Sequence, residues 1–515
     1  MKGSDVNLTP PHKHAQWDPF AQPLFDDPSI RHLSKVAVVD IGSNSVRLVV
    51  FDGAARSPAY FYNEKVMCGL GRGLMNTGVL HPEGRDRALS SMIRFRKLAT
   101  AMGIPSMTAV ATAAVRDAQD GPEFCQDVLD QTGVKIHIID GLEEARLSAQ
   151  GVLLGWPEAD GIMCDIGGSS MELAKITDRT IGKRATSDLG PLKLADMKGG
   201  KEGRRKFIKS TIEAMAQDIG TDQDQMYLVG GSWRAFARVD MHRRDYPLKV
   251  LHEYEMSPRD IRETITFIEQ SDLEELRQLC GISSARMNLL PLASEVLNRL
   301  LKTFKPLSVA ISSFGIREGM LYEQMPQKLR DRDPLIESSK FSEKKDARIP
   351  GFGKDLYFFV SPLFPNADYK FLRLVRAACH LHDVSWRAHP DYRAESCFDS
   401  VTRSNLGGLN HEERVFLGLS LLHRYRGQRG EERLQEVLGL LTDRKLRQAE
   451  VLGAAMRLGA MLWDKNASLD WNKQRRVLAL LLPKASQDLF GEVANARLNS
   501  LGTVLGAKRI KVTYT

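Results

Sequence analysis

Two short stretches of this chain share one skeleton, and the doubling constrains its fold more than any other feature. Val38-Val39-Asp40-Ile41-Gly42-Ser43-Asn44-Ser45 runs an apolar pair into Asp-Ile-Gly, places a serine three positions after the glycine, and reaches Leu48 three positions later. Cys164-Asp165-Ile166-Gly167-Gly168-Ser169-Ser170-Met171-Glu172-Leu173 repeats the pattern behind Ile162 and Met163. Each copy reads as strand, tight turn, strand, and the alternation of a half-buried strand continues through Ile176. Glycine at such a turn lets backbone N–H groups approach a phosphate with no Cβ in the way. Asp165 beside it can hold a hydrated Mg²⁺ bridging to that phosphate, and Glu172 on the returning strand can reach the same pocket. One Asp-Gly-Gly turn is ordinary turn chemistry. Two copies in successive units predict two related half-domains facing each other across a cleft that holds the site.

At 515 residues the chain exceeds what one hydrophobic core serves, so several domains are expected. No apolar run approaches the length of a membrane span. Residues 1–34 are polar, with no apolar core of a secretory signal, and are read as a flexible arm. Six cysteines, none in a C-x-x-C pair, read as buried reduced thiols of a cytoplasmic protein. The net charge of +8 serves solubility or attracts a polyanion, and composition does not separate the two.

Strands are predicted at 36–39, 46–51, 59–62, 107–112 and 134–140, with helices at 82–102, 122–132 and 141–154, an α/β half-domain spanning residues 35–150. A second half-domain, 151–330, carries strands at 161–165, 171–177, 182–189, 226–229 and 307–312. Helices follow at 201–220, 257–282 and 288–303, and Gly230-Gly231-Ser232 forms a third glycine turn. Residues 331–353, charged and broken by Pro334 and Pro350, read as a linker. Residues 354–468 are helical, and 469–515 form a small α/β module.

With these residues assembled, the chain resembles the exopolyphosphatase / guanosine pentaphosphate phosphohydrolase (Ppx/GppA) family, most of all the bacterial exopolyphosphatases. The motifs are Asp40 to Ser45, Ala111 to Arg116, Gly141 to Arg146, Asp165 to Glu172, the turn at Gly230, and Gly315 to Gly319, in the family's order. The resemblance implies duplicated ribonuclease-H-like halves, as in actin and sugar kinases, and a helical domain similar to the histidine–aspartate (HD) type. It implies release of orthophosphate from polyphosphate ends. Hydrolysis of guanosine pentaphosphate is the nearest alternative, and an actin-like nucleotide-binding kinase or regulator a more distant one. The third family glycine after Asp165 is Ser169 here, and the third loop reads Gly230-Gly231-Ser232-Trp233-Arg234, which bears on substrate preference.

Hydrolysis of a terminal phosphoanhydride needs an in-line water, a group to orient it, and neutralised charge on the transferred phosphoryl. The resemblance places the water-activating carboxylate at Glu144, with Glu143 as helix-dipole partner. Asp165, Glu172 and Asp40 are the expected Mg²⁺ ligands. Gly42, Ser43, Asn44 and Ser45, with Gly167, Gly168, Ser169 and Ser170, are expected to cradle phosphate, joined by Gly230, Gly231 and Ser232. Arg116 would clamp charge, while Arg317 shapes its turn. Basic clusters at Arg204 to Lys209, at Arg234 to Arg244, and at Arg373, Arg376, Arg387, Arg424 and Arg426 are candidate tracks for a long polyphosphate. His382-Asp383, with His380, His389 and His423, lacks a full metal set and reads as a degenerate domain serving track and dimer contacts. The expected partners are polyphosphate, guanosine tetra- or pentaphosphate and a second copy of the chain, linked to the stringent response, with no membrane and no nucleic acid.

Overall fold

The computed structural model describes residues 35–52, 56–104, 106–427 and 434–515. The arm expected at 1–34 lies outside them. The chain divides into two compact units, one holding Tyr60–Asp140 with the strands before it, the other holding Gly141–Thr515 and taking in Arg56–Ala59.

In the first unit, β1 (Val36–Ile41), β2 (Ser45–Phe51), β3 (Tyr60–Met67), β4 (Ser106–Ala111) and β5 (Ile136–Ile138) form a sheet of order β3-β2-β1-β4-β5. Val36 to Val39 are buried without a polar interruption, which is why β1 takes the centre. β1 is antiparallel to β2 and parallel to β4. Helices Pro82–Ala101 and Gly121–Thr132 pack on this sheet's core.

The second unit repeats the plan. β6 (Gly161–Ile166), β7 (Met171–Thr177), β8 (Thr180–Ser187), β9 (Gln225–Val229), β10 (Glu255–Met256) and β11 (Ser308–Ser312) form a sheet of order β10-β11-β9-β6-β7-β8. β6, buried along its whole length, is antiparallel to β7 and parallel to β9, as β1 is to β2 and β4. Both Asp-Ile-Gly acids therefore stand at the carboxyl end of a central strand, the edge where α/β sheets collect ligands.

The helical remainder has its own core, shared by helices Pro334–Asp346, Phe352–Val360, Tyr369–His380, Arg393–Arg403, His411–Tyr425 and Asp443–Leu462. A three-stranded sheet, β12 (Ser468–Asn472), β13 (Val477–Leu482) and β14 (Arg509–Tyr514), closes it with helix Glu492–Leu505. Among the described residues no helix is long and apolar enough to cross a membrane.

Three expectations change. The stretch read as a linker carries helix Pro334–Asp346, whose Pro334, Leu335 and Ile336 are buried. Pro334 starts that helix, and Asp333 caps it by accepting from the Leu335 and Ile336 N–H groups at 2.9 and 3.2 Å. The single helix expected at 257–282 is two, because Asp272 caps a new start at Leu273. The compact division falls at Asp140/Gly141, ahead of residue 150, so the helix carrying Glu144 belongs with the second sheet.

Candidate functional site

The Asp165 hairpin is closed by the Gly167 N–H donating to the Ser170 carbonyl at 3.0 Å. Its register sets Asp165 directly opposite Glu172. Two facing acids repel unless a positive charge joins them. Asp165 is 8% exposed and Glu172 0%. The Ser148 hydroxyl donates to Asp165 Oδ2 at 2.5 Å, and the Thr186 hydroxyl to Glu172 Oε1 at 3.1 Å.

Helix Gly141–Gly155 lies across this sheet, and its glycines explain how. A Cβ on Gly141 would stand 2.2 Å from Thr186 Oγ1, and one on Gly151 2.3 Å from the Gly315 carbonyl oxygen. Gly141, Glu144, Ser148 and Gly151 are three or four apart and share one helix face. That face meets β8 at Gly141, β6 at Ser148 and the turn after β11 at Gly151. Glu144, buried, is carried between the contacts that reach Thr186 and Asp165. The following helix, Ile316–Gln324, crosses close by: a Cβ on Gly319 would stand 1.8 Å from the Leu147 carbonyl oxygen. Glu318 caps its turn, accepting from the Gly315 N–H at 2.8 Å, and Arg317 is buried beside it. Arg146 is bound to Glu143 at 2.6 Å and to Glu323 at 2.6 Å.

Two further turns border the hairpin. Asp165 pairs with Val229 on β9, and Gly230 follows with φ of +115°. A Cβ there would lie 2.6 Å from the Ile166 carbonyl oxygen and 3.1 Å from Asp165 Oδ1. Gly231 and Ser232 open helix Gly231–Arg243 behind it. On the other side the Leu192 N–H donates to the Gly168 carbonyl at 2.8 Å.

In the first unit the Gly42 N–H donates to the Ser45 carbonyl at 3.0 Å, the same closure. The Gly69–Gly73 loop braces this turn, the Gly71 N–H donating to the Ser43 carbonyl at 2.8 Å. Here the residue opposite the aspartate differs: Asp40 faces Arg47, whose Nε donates to Asn63 Oδ1 at 2.8 Å. Arg116 stands at the same end of the sheet, because Thr112 leaves β4 with its N–H on the Ile41 carbonyl at 3.2 Å. Its Nη1 donates to the Ile139 carbonyl at 3.2 Å and its Nε to Asp117 at 3.1 Å.

The second unit thus gathers Asp165, Glu172, Gly167 to Ser170, Gly230 to Ser232 and the helix face of Glu144 at one sheet edge. Asp40, Gly42 to Ser45 and Arg116 form the corresponding group of the first unit. Sequence reasoning missed Ser148 and Thr186, the hydroxyls on the two acids. Ser148, one turn beyond Glu144, carried a spacing signal, whereas Thr186 carried none.

Several arginines of the expected polyphosphate tracks are held in structural contacts. Arg243 and Arg244 surround the buried Asp240 with Tyr254 and Thr264. Arg373 is bound to Asp333 and to the Gly408 carbonyl, and Arg426 to Glu395. Asp383 receives Arg348 Nε and Nη2 at 2.9 and 2.7 Å, so a guanidinium occupies the approach to its carboxylate. That contact holds its carboxyl below the usual range against the upward push of burial. His380 Nδ1 lies 2.6 Å from Glu343 Oε2. Among the described residues no group of three His, Cys, Asp or Glu is placed to hold a metal.

The sequence model of the Ppx/GppA phosphatase family matches residues 49–328, more than half of the chain. The chain belongs to the Ppx/GppA phosphatase family. A second model, exopolyphosphatase C-terminal, matches residues 366–512. Exopolyphosphatase 1 of Mycobacterium tuberculosis is 25% identical over 318 residues, covering 59% of this chain and 92% of its own. Retrograde regulation protein 2 of Saccharomyces cerevisiae is 24% identical over 464 residues, covering 81% of this chain and 77% of its own. The crystal structure of an exopolyphosphatase from Cytophaga hutchinsonii superposes with a TM-score of 0.52 at 22% identity, covering 57% of this chain and 98% of that one. The Aquifex aeolicus member of the Ppx/GppA protein family gives 0.51 at 20% identity, covering 58% and 99%. These likenesses show a shared Ppx/GppA fold.

Proposed function

We propose that this Ppx/GppA member is a Mg²⁺-dependent exopolyphosphatase that releases orthophosphate from the ends of polyphosphate. The observation that carries the reading is the helix face of Gly141, Glu144 and Ser148, seated on Thr186 and Asp165. It puts one carboxylate on the same sheet edge as a facing pair of acids and a glycine turn.

Glu144 orients the attacking water and takes its proton. The backbone N–H groups and hydroxyls of Gly167 to Ser170 hold the terminal phosphoryl, with Gly230 to Ser232 beside Asp165. Gly42 to Ser45 and Arg116 supply the first unit's share of phosphate contacts. Asp165 and Glu172 are the residues that would hold Mg²⁺. Two hard carboxylates, with water and substrate oxygens completing the shell, suit that ion. When bound, it neutralises charge on the transferred phosphoryl. Asp40 is the weaker candidate ligand, since Arg47 faces it. The helical domain is of the HD type, with Arg348 in place of the metal. The chain works as a cytoplasmic homodimer.

The test is phosphate release from polyphosphate and from guanosine pentaphosphate side by side, with Mg²⁺ and with EDTA. Release from polyphosphate is expected, with a fall of about 10³-fold in Glu144→Gln and retained binding. Faster release from the nucleotide would replace the substrate. A second reading, a regulator without turnover, is favoured by the long match to retrograde regulation protein 2. It predicts no release and full function in Glu144→Gln.

A further inference from the structure

One basic cluster is not consumed by ion pairs, and the fold builds it into a groove. Helices Gly200–Ile219, Pro258–Gln270 and Leu290–Phe304 enclose a cavity of about 500 Å³. Ile208, Ile265 and Ile268 form its buried apolar floor. Lys201, Arg205 and Lys209 line one wall at four-residue spacing, so they share a helix face. Lys302 and Arg299 line the opposite wall from a point far along the chain.

The acids nearby are mostly spent. Arg204 holds Glu295 at 2.9 and 3.0 Å, and Glu213 pairs with Arg299. Lys201, Arg205, Lys209 and Lys302 enter no ion pair among the described residues, and Glu269 is the one acid of the lining outside an ion pair. Four like charges around one cavity repel one another, and a polyanion relieves the repulsion. A row of lysines on a helix is ordinarily a solvated face. What separates this row from that reading is the second wall, which closes over the same space.

The lining contains no aromatic residue. A nucleotide or single-stranded nucleic acid draws much of its affinity from base stacking on aromatic rings. A bare phosphate chain needs only charge. The groove also adjoins the reaction site through the fold. Helix Pro191–Ala195 packs against Leu290–Phe304, and its Leu192 N–H is bonded to Gly168 of the phosphate turn at 2.8 Å.

We infer that this groove is a secondary binding site for the body of an inorganic polyphosphate chain, retaining the polymer between successive cleavages. The inference rests on the exopolyphosphatase reading for its substrate. The variant Arg205→Gln/Lys209→Gln/Lys302→Gln tests it, because all three side chains are exposed and their loss leaves the core intact.

Binding is measured in EDTA, without turnover, on the full chain with long-chain polyphosphate. The triple variant is expected to bind at least about tenfold more weakly, with a salt slope shallower by about one per charge removed. Arg205→Lys should retain the wild-type slope. With Mg²⁺, intermediate chain lengths should accumulate on gels, while kcat/KM for tripolyphosphate stays within about twofold. Unchanged long-chain binding, or an equal loss on tripolyphosphate, overturns the groove. So does single-stranded RNA that competes equally at matched phosphate concentration. A wild type that hydrolyses nothing, yet loses polyphosphate binding in the triple variant, sinks the exopolyphosphatase reading and leaves the groove standing.

Discussion

The two Asp-Ile-Gly hairpins have the same turn closure, the same place in their sheets and the same antiparallel return strand. They differ in one cross-strand partner: Asp40 faces Arg47, whereas Asp165 faces Glu172. The first pair is neutral as it stands. The second sets two carboxyl groups face to face in a buried place, a pairing that a bound cation stabilises. The two units therefore share one hairpin frame and differ in the residue set opposite its aspartate. Under the proposed function, the cation goes with the second unit and bare phosphate contacts with the first.

The largest expected effect tests that assignment directly. Asp165→Asn or Glu172→Gln should lower phosphate release about 10³-fold and raise the Mg²⁺ concentration needed for half-maximal rate. Asp40→Asn should cost about tenfold with no change in Mg²⁺ dependence. Equal losses with equal shifts in Mg²⁺ requirement would break the comparison.

Acid should also separate the units. His252, His382 and His411, all in the second unit, are buried, and burial holds them neutral: His382 and His411 are lowered to about 4 and His252 well below its ordinary value. Positive charge nearby adds to this, from Arg424 at His382 and from Arg414 at the other two. In the unfolded chain each takes a proton near pH 6.5. At these three histidines the unfolded state therefore binds more protons between pH 6.5 and 4, and their share of stability falls as pH drops through that window, partly offset by Glu253, whose carboxyl burial raises to about 8. His382 and His411 each contribute roughly 3 kcal/mol. His81 and His137 of the first unit are half-buried. Hydrogen exchange at pH 7 and pH 5 should show the second unit losing protection first, with a flatter pH dependence in His382→Leu. Simultaneous loss in both units would show that the histidines do not set the order.

Glycine substitutions extend the contrast between frame and site. Gly319→Ala presses a methyl group into the Leu147 carbonyl and should cost about 2–3 kcal/mol in urea unfolding. At Gly42 and Gly167 the nearest atom to a new Cβ is a serine oxygen 3.6 Å away. Alanine there should change stability by less than about 1 kcal/mol. It should nonetheless raise KM, because the methyl group occupies the approach of the phosphate. An unchanged KM in Gly167→Ala would remove the turn from the site.

The doubled hairpins were legible because the signal is local: an apolar run, an acid and a glycine fix strand, turn and return within ten residues. Gly141, Glu144 and Ser148 were legible only as a helix, since what places that face is Thr186, more than one strand away. Helix Pro334–Asp346 was hidden because proline reads as a breaker, while Asp333 before it was the capping signal that decides otherwise. Helix Arg393–Arg403 was legible only as part of a helical region, its bounds hidden in a polar stretch and its apolar face set by burial of Ala394, Cys397, Phe398 and Val401. Charge runs were the least legible. Arg373 looks like Arg205 in sequence, and only the fold brings Asp333 to the first and leaves the second outside any ion pair among the described residues.

The smallest expected effect sharpens the opening contrast most. If Arg47 serves only to balance Asp40, Arg47→Gln should alter phosphate release by less than about threefold, since a polar group still reaches Asn63. Its stability cost should be about 0.5 kcal/mol, that of a partly exposed pair. If instead the arginine touches the transferred phosphoryl, the loss should approach that of Asp165→Asn and fall on kcat with KM unchanged. In that event the first hairpin would supply positive charge to the reaction and the second the cation, two routes to the same neutralisation. The ratio of the Arg47→Gln and Asp165→Asn losses, read on one substrate at saturating Mg²⁺, separates a spectator frame from a working half.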